Sequence, residues 1–396
     1  MSPDFGKVRE IPELWRVLLR RVDVLKRPLV SHGEVYVCLV AAAVFKTVVR
    51  SVKRFAGGFD SHPLPPWTMS VRQRHCRLSH VVLMMGRMKR HFGDDLVVAV
   101  KRAGNPVVVG LDPRWESLPS SFVRKSNDDL ETKALAYQQF CQEVVDVVAP
   151  LVPAVKPQAA FFEECGPAGM NALANVIAYA RQRNLLVIFD GKRNDIGSTA
   201  EAYARGILGR DGQSGWEADA VTVSPYLGAD SLQPFIEVAE QRGGGIFVLV
   251  KTSNPGSHML QDQRLTDGPL YRQVGEYVES CSQQTRGELG YGIVGAVVGA
   301  TYPKQLTELR AAMPHSWFLV PGFGSQGGTA QNVAPAFDTS GLGAVVNNSR
   351  GILFAYRRPE YSELYGENRW QDAVEAATRE MIAQLAAETT AGKLTT

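Results

Sequence analysis

From residue 88 onward, apolar residues fall in short runs of four to six, rich in Val, Ile and Leu, separated by longer mixed stretches. Continuous rather than alternating runs are the pattern of parallel strands buried on both faces. The runs predict strands at 106–111, 152–155, 185–189, 220–223, 246–250, 293–298, 317–320 and 343–346. Between them lie amphipathic stretches of helical length at 129–149, 167–183, 198–208, 230–241, 268–286, 303–313 and 329–337, with a last helix over 370–387. Strand–helix alternation predicts an α/β fold with a parallel sheet, and eight repeats favour closure into a (β/α)8 TIM barrel over residues 88–396. An open doubly wound sheet is the runner-up. It would carry a Gly-rich turn after its first strand, where this chain has Gly110-Leu111-Asp112-Pro113.

Residues 1–87 break this pattern: basic residues are scattered without helical phase, and Pro63, Pro65 and Pro66 cluster. Residues 1–90 carry 17 Lys and Arg against 6 Asp and Glu, leaving 26 against 34 in the rest, so the net charge of +3 describes neither part. The stretch is read as a poorly structured basic N-terminal extension, or as translated sequence upstream of a start at Met84, Met85 or Met88. The functional alternative is a basic arm for nucleic acid or an anionic membrane. The five cysteines are scattered without metal-ligand or redox spacing, which favours a reducing cytosol. The longest apolar run, 35–45, is 11 residues, short of the ~20 needed to span a bilayer, so no membrane segment is expected.

Composition changes sharply at the strand exits. In order they read Asp112; Lys156; Asp190 with Lys192; Ser224-Pro225-Tyr226; Lys251-Thr252-Ser253-Asn254; Gly299-Ala300-Thr301; a loop from Pro321 to Gly328; and Asn347-Asn348-Ser349-Arg350. Barrel chemistry sits at the C-terminal strand ends, so clean strand interiors with charged exits point to catalysis there. The most charged exit is Asp190-Gly191-Lys192-Arg193-Asn194-Asp195. Residues two apart on an extended strand share a face, so Asp190 and Lys192 are expected together, while Asp195 is expected in the following loop, pointing elsewhere. Glycines at 322, 324, 327 and 328, a helix opening near Thr329, and Arg350 after the eighth strand predict a phosphate site. No metal triad, nucleophile elbow, P-loop or dinucleotide fingerprint is present in the sequence.

The set Asp190-x-Lys192-x-x-Asp195-Ile196, Pro321-Gly322-x-Gly324-x-Gln326-Gly327-Gly328 and Ser349-Arg350 resembles the orotidine 5′-phosphate decarboxylase family. The stretches 156–163 and 251–256 resemble its bacterial subgroup with longer chains. The resemblance runs from about residue 88 to the C-terminus and implies decarboxylation of orotidine 5′-phosphate to UMP, without metal or organic cofactor, by a homodimer with shared active sites. It further implies that Asp112 and Lys156 bind the ribose hydroxyls, Asp190 faces the substrate carboxylate, and Lys192 protonates C6. Asp195 would reach the neighbouring subunit's site. Ser253, with Thr252 beside it in the substrate-binding set, would meet the pyrimidine edge. Gln326 would bridge phosphate and base, and Arg350 with the Gly327 and Gly328 amides would hold the phosphate. The rival readings are a Mg2+-dependent 3-keto sugar-phosphate decarboxylase or lyase on the same barrel, and a non-catalytic nucleotide-binding barrel.

Overall fold

The computed structural model describes residues 90–123, 129–210, 212–324 and 327–395. The expected extension over 1–87 lies outside the described residues. Eight parallel strands close into a barrel: β1 (Val107–Leu111), β2 (Ala154–Pro157), β3 (Leu186–Arg193), β4 (Ala220–Val223), β5 (Gly245–Lys251), β6 (Val294–Val298), β7 (Phe318–Val320) and β8 (Ala344–Asn348). Each pairs with its sequence neighbours, and β8 returns to β1 through the register Val107↔Val346. The barrel prediction holds, and the open-sheet alternative is set aside by this closure.

Helices alternate with the strands: α1 (Phe92–Ala103) before β1, then α2 (Leu130–Val148), α3 (Gly166–Gln182), α4 (Gly197–Ile207), α5 (Ala229–Arg242), α6 (Leu270–Gln284), α7 (Pro303–Ala312), α8 (Ala330–Val333) and α9 (Trp370–Glu388). Two expected helices are shorter than their patterns. Residues Gly268–Pro269 pair with Arg264–Leu265 in a small antiparallel hairpin instead of opening α6. Pro335, with no backbone N–H to donate, ends α8 after one turn, and a 3-10 turn (Ala334–Ala336) replaces it. Among the described residues, no helix is long and apolar enough to cross a membrane.

Helix α1 was not anticipated. It lies against the N-terminal strand ends: Phe92 meets Phe247 edge-on at 5.8 Å, and the Trp317 indole donates to the Gly93 carbonyl at 3.2 Å. Gly245, the first residue of β5, has no room for a side chain, since a methyl there would stand 2.1 Å from the Phe92 ring. Apolar side chains thereby cover much of the base of the barrel, beside the buried Asp219 that pairs with Arg90 at 3.4 Å, and the charged groups that line the cavity lie at the opposite end.

Candidate active site

The strand carrying Asp190 does not stop at the charges, as its apolar run suggested, but continues to Arg193. Its pairing with β4 slips between Phe189 and Arg193, a bulge in which Lys192 takes a positive φ of 46°. A non-glycine residue there is strained by about 1–3 kcal/mol, the kind of distortion that gathers at functional sites. The backbone N–H of Lys192 donates to Thr222 Oγ1 on β4 at 2.9 Å, which holds the bulge. Asp190 and Lys192 do share a face, with Lys192 Nζ 2.7 Å from Asp190 Oδ1.

Four groups fix the Asp190 carboxylate. Oδ1 accepts from Lys192 Nζ and from Thr222 Oγ1 at 3.0 Å. Oδ2 accepts from Lys156 Nζ at 2.5 Å and Gln158 Nε2 at 3.1 Å. Burial alone would push the Asp190 carboxyl upward, but the two ammonium groups outweigh it and hold the pKa well below the usual carboxylate range. Lys156 is buried, which disfavours its charge, yet the nearby Asp190 and Asp112 carboxylates raise its pKa above the ordinary lysine value. Lys156 is thus a locked countercharge beneath the site. Lys192 differs: its side chain is 47% exposed and opens onto the cavity. The arrangement can present a charged ammonium to a bound molecule while an acid neighbour holds it in place.

These groups form one end of a cavity of about 430 Å³ at the C-terminal strand ends. Asp112, Lys156, Asp190, Lys192, Thr252, Ser253 and Arg350 all line it. Asp195 does not; it sits in the loop after β3, where its carboxylate accepts from the Ile196 backbone at 2.8 Å. Gly327 and Gly328 line an adjoining cavity of about 820 Å³, and Arg350 borders both. In this conformation the Gly327 amide donates to Gly324 O at 2.8 Å and the Gly328 amide to Gly322 O at 3.1 Å. A phosphate would compete with these bonds for the amides expected to bind it. The helix expected to add its positive end there is only the single turn of α8. Gln326 lies outside the described residues.

Sequence reasoning passed over Thr222 and Gln261 and gave no role to Gln158, Asn347 and Ser349, which it placed in a family-like stretch or at a strand exit; all five line the cavity. The signal for Asn347 was a polar residue at the end of a buried strand; for Thr222 it was the one hydroxyl in an apolar run. Gln261 gave none, because it reaches the cavity through a loop. Its side chain accepts from Thr252 N and donates to Thr252 Oγ1, both at 2.9 Å. The fully buried Lys251 anchors that loop, with Nζ 2.7 Å from Asp262 Oδ1, 3.2 Å from Ser257 Oγ and 4.4 Å from the centre of the Tyr302 ring.

A family model described as "Orotidine 5'-phosphate decarboxylase / HUMPS family" matches residues 105–363. A Rhodopirellula baltica protein named orotidine 5'-phosphate decarboxylase is 56% identical over 300 residues, spanning 74% of this chain and 98% of the relative. A Roseiflexus castenholzii protein of the same name is 41% identical over 295 residues, spanning 73% and 99%. Among solved structures, the OMP decarboxylase of Leishmania donovani superposes with a TM-score of 0.57 at 34% identity, covering 75% of this chain and 98% of that one.

Proposed function

The chain belongs to the orotidine 5′-phosphate decarboxylase / HUMPS family, and we propose from that premise that it converts orotidine 5′-phosphate to UMP through the Lys156–Asp190–Lys192 array. The observation that carries the mechanism is the cavity-facing Lys192 ammonium braced 2.7 Å from a buried carboxylate. The relatives named for this substrate, at 56% and 41% identity, carry its identity and favour it over a sugar phosphate or a binding-only role.

Breaking the C6–carboxylate bond leaves its electron pair on an sp2 carbon with no adjacent electron sink. The site must supply much of the ~8–23 kcal/mol by which enzymes lower barriers, through electrostatics and positioning. Lys192 does both: its charge faces the carbon as negative charge develops, and one of its N–H protons then forms the new C6–H bond as CO2 departs. Asp190 holds the amine in place at 2.7 Å and places a like charge beside the departing carboxylate. Asp112 and Lys156 receive the ribose, and Thr252 and Ser253 the pyrimidine. Arg350, which makes no side-chain hydrogen bond or ion pair among the described residues, receives the phosphate with Gln326, Gly327 and Gly328. Phosphate binding remote from the reacting carbon can then order the loops that close the site.

We read the working unit as a homodimer. Asp195 is not among the residues lining its own cavity, and the loops after β3 and β4 and helix α4 carry exposed apolar side chains: Ile196, Tyr203, Tyr226 and Leu227. Such surfaces mark protein interfaces. The test of function is loss of orotidine 5′-phosphate absorbance by the purified chain in EDTA. Turnover in the chelator supports the reading; turnover only of a 3-keto sugar phosphate with added Mg2+ overturns it.

A further inference from the structure

Lys251 ends β5 with a charge that solvent does not reach. Strand alternation would turn it to the cavity with Leu249, two residues before it. Leu249 does line the cavity, and Lys251 does not. The pairing of β5 with β6 slips between these two residues. The Lys251 ammonium lies instead against two aromatic rings, 4.4 Å from the centre of Tyr302 and 5.8 Å from that of Tyr271. Its one ion-pair partner among the described residues is Asp262, at 2.7 Å. An enclosed ammonium is costly even when paired, and an apolar side chain of similar volume would fill the space without that cost. The ion pair is better explained by what it joins.

It joins the two ends of a loop. Lys251 stands at the start and Asp262 at the end, so the pair closes residues 252–261 into a ring. Within the ring, Ser257 Oγ lies 3.2 Å from Lys251 Nζ, and Gln261 bonds both the backbone N–H and the hydroxyl of Thr252. The start of the loop has no slack, since a methyl added at Gly299 would stand 2.8 Å from Ser253 N and Cα. Thr252, Ser253, Asn254 and Gln261 all carry this loop into the cavity wall. We propose that Lys251 is a positioning residue: clasped to Asp262, it fixes the loop that meets the pyrimidine without itself touching the nucleotide. The inference rests on the nucleotide reading above and extends it to a group outside the cavity.

The test measures binding of UMP and of ribose 5-phosphate, which lacks the base, to the full chain by calorimetry. The variants are Lys251→Met, Asp262→Ala and the two combined. Lys251→Met should bind UMP about tenfold or more weakly, the worth of a displaced hydrogen bond or two. Ribose 5-phosphate should bind it as it binds the wild type, because sugar and phosphate meet other strand exits. Asp262→Ala should show the same base-dependent loss, and the double variant should lose no more than either, since each alone opens the clasp. If Lys251→Met does not fold, Asp262→Ala carries the comparison, its carboxylate being 38% exposed. Unchanged UMP affinity, equal weakening of both ligands, or losses that multiply in the double variant would each overturn the positioning role. A wild type that does not bind UMP would instead overturn the decarboxylase reading itself.

Discussion

Asp190 joins a buried lysine to a half-exposed one, and the two ends of that bridge do different work. Removing the exposed end leaves Asp190 still paired with Lys156, so Lys192→Ala should fold and should still bind UMP. Its turnover should fall by about 10³-fold or more, the combined loss of a proton donor and of charge facing the carbanion. Single-turnover assays beside UMP titration check this, and retention of more than a few per cent of wild-type kcat would remove Lys192 from the role. Asp190 itself should show in stability against pH. Its native pKa is depressed, so its contribution is complete above the unfolded value near ~4 and is withdrawn as pH falls below that toward the native value. Lys156, raised in the native state, contributes fully below its unfolded value near ~10.4 and loses its contribution as pH rises through the native one. Asp190→Asn strands the buried Lys156 charge, at a cost of about 3–5 kcal/mol near neutrality. Between about pH 5 and pH 3 the urea midpoint should nevertheless fall less steeply in the variant than in the wild type; parallel slopes would mean that Asp190 is not ionised in the fold.

Apart from the third strand, which runs four residues past its apolar run to Arg193, the strands could be read within a residue or two of their ends because a strand buried on both faces leaves an unbroken apolar run. That same burial hid part of the site. In a two-sided strand no alternation tells which polar residue faces the cavity, so Thr222 passed as an interior residue, while Asn347 was placed at a strand exit without a role. Gln261 arrives on a loop whose course no periodicity encodes, whereas Gln158 directly follows β2, two residues on from Lys156, and bridges to Asp190. Helix α1 escaped for another reason: its N-cap is His91, an unusual capping residue, and it precedes the strand–helix alternation. Its function follows from Gly245. A side chain at that position would drive Phe92 off the barrel base, so Gly245→Ala should lower stability by about 1–3 kcal/mol, the usual cost of overpacking. Because this contact lies at the end of the barrel away from the site, KM and kcat should hold at temperatures where the variant stays folded. Denaturant titration with steady-state kinetics checks the separation, and a large change in KM would show that the base of the barrel is coupled to the cavity.

At the scale of the assembly, the unabsorbed feature is Asp195, a carboxylate within five residues of Asp190 that takes no part in its own cavity. In an isologous dimer each subunit offers the other the same surface, so Asp195 of one can complete the site of its partner. Complementation separates that from a self-contained site. Asp190→Ala and Asp195→Ala chains should each be nearly inactive alone. Co-expressed with different tags, half of randomly paired dimers contain one of each, and each such dimer holds one site with both carboxylates intact and one with neither. Activity should then recover to about a quarter of wild type per subunit, rising to about a half in the doubly tagged fraction purified on both tags. If Asp195 served its own subunit, every site in that fraction would lack one carboxylate and nothing would be recovered. Replacing Tyr226, which is 73% exposed beside this surface, with Glu should abolish recovery and wild-type activity together, since the charge would be buried against the partner; sedimentation would then show monomers. Full activity in such monomers would place the whole reaction within one barrel and leave Asp195 a surface residue.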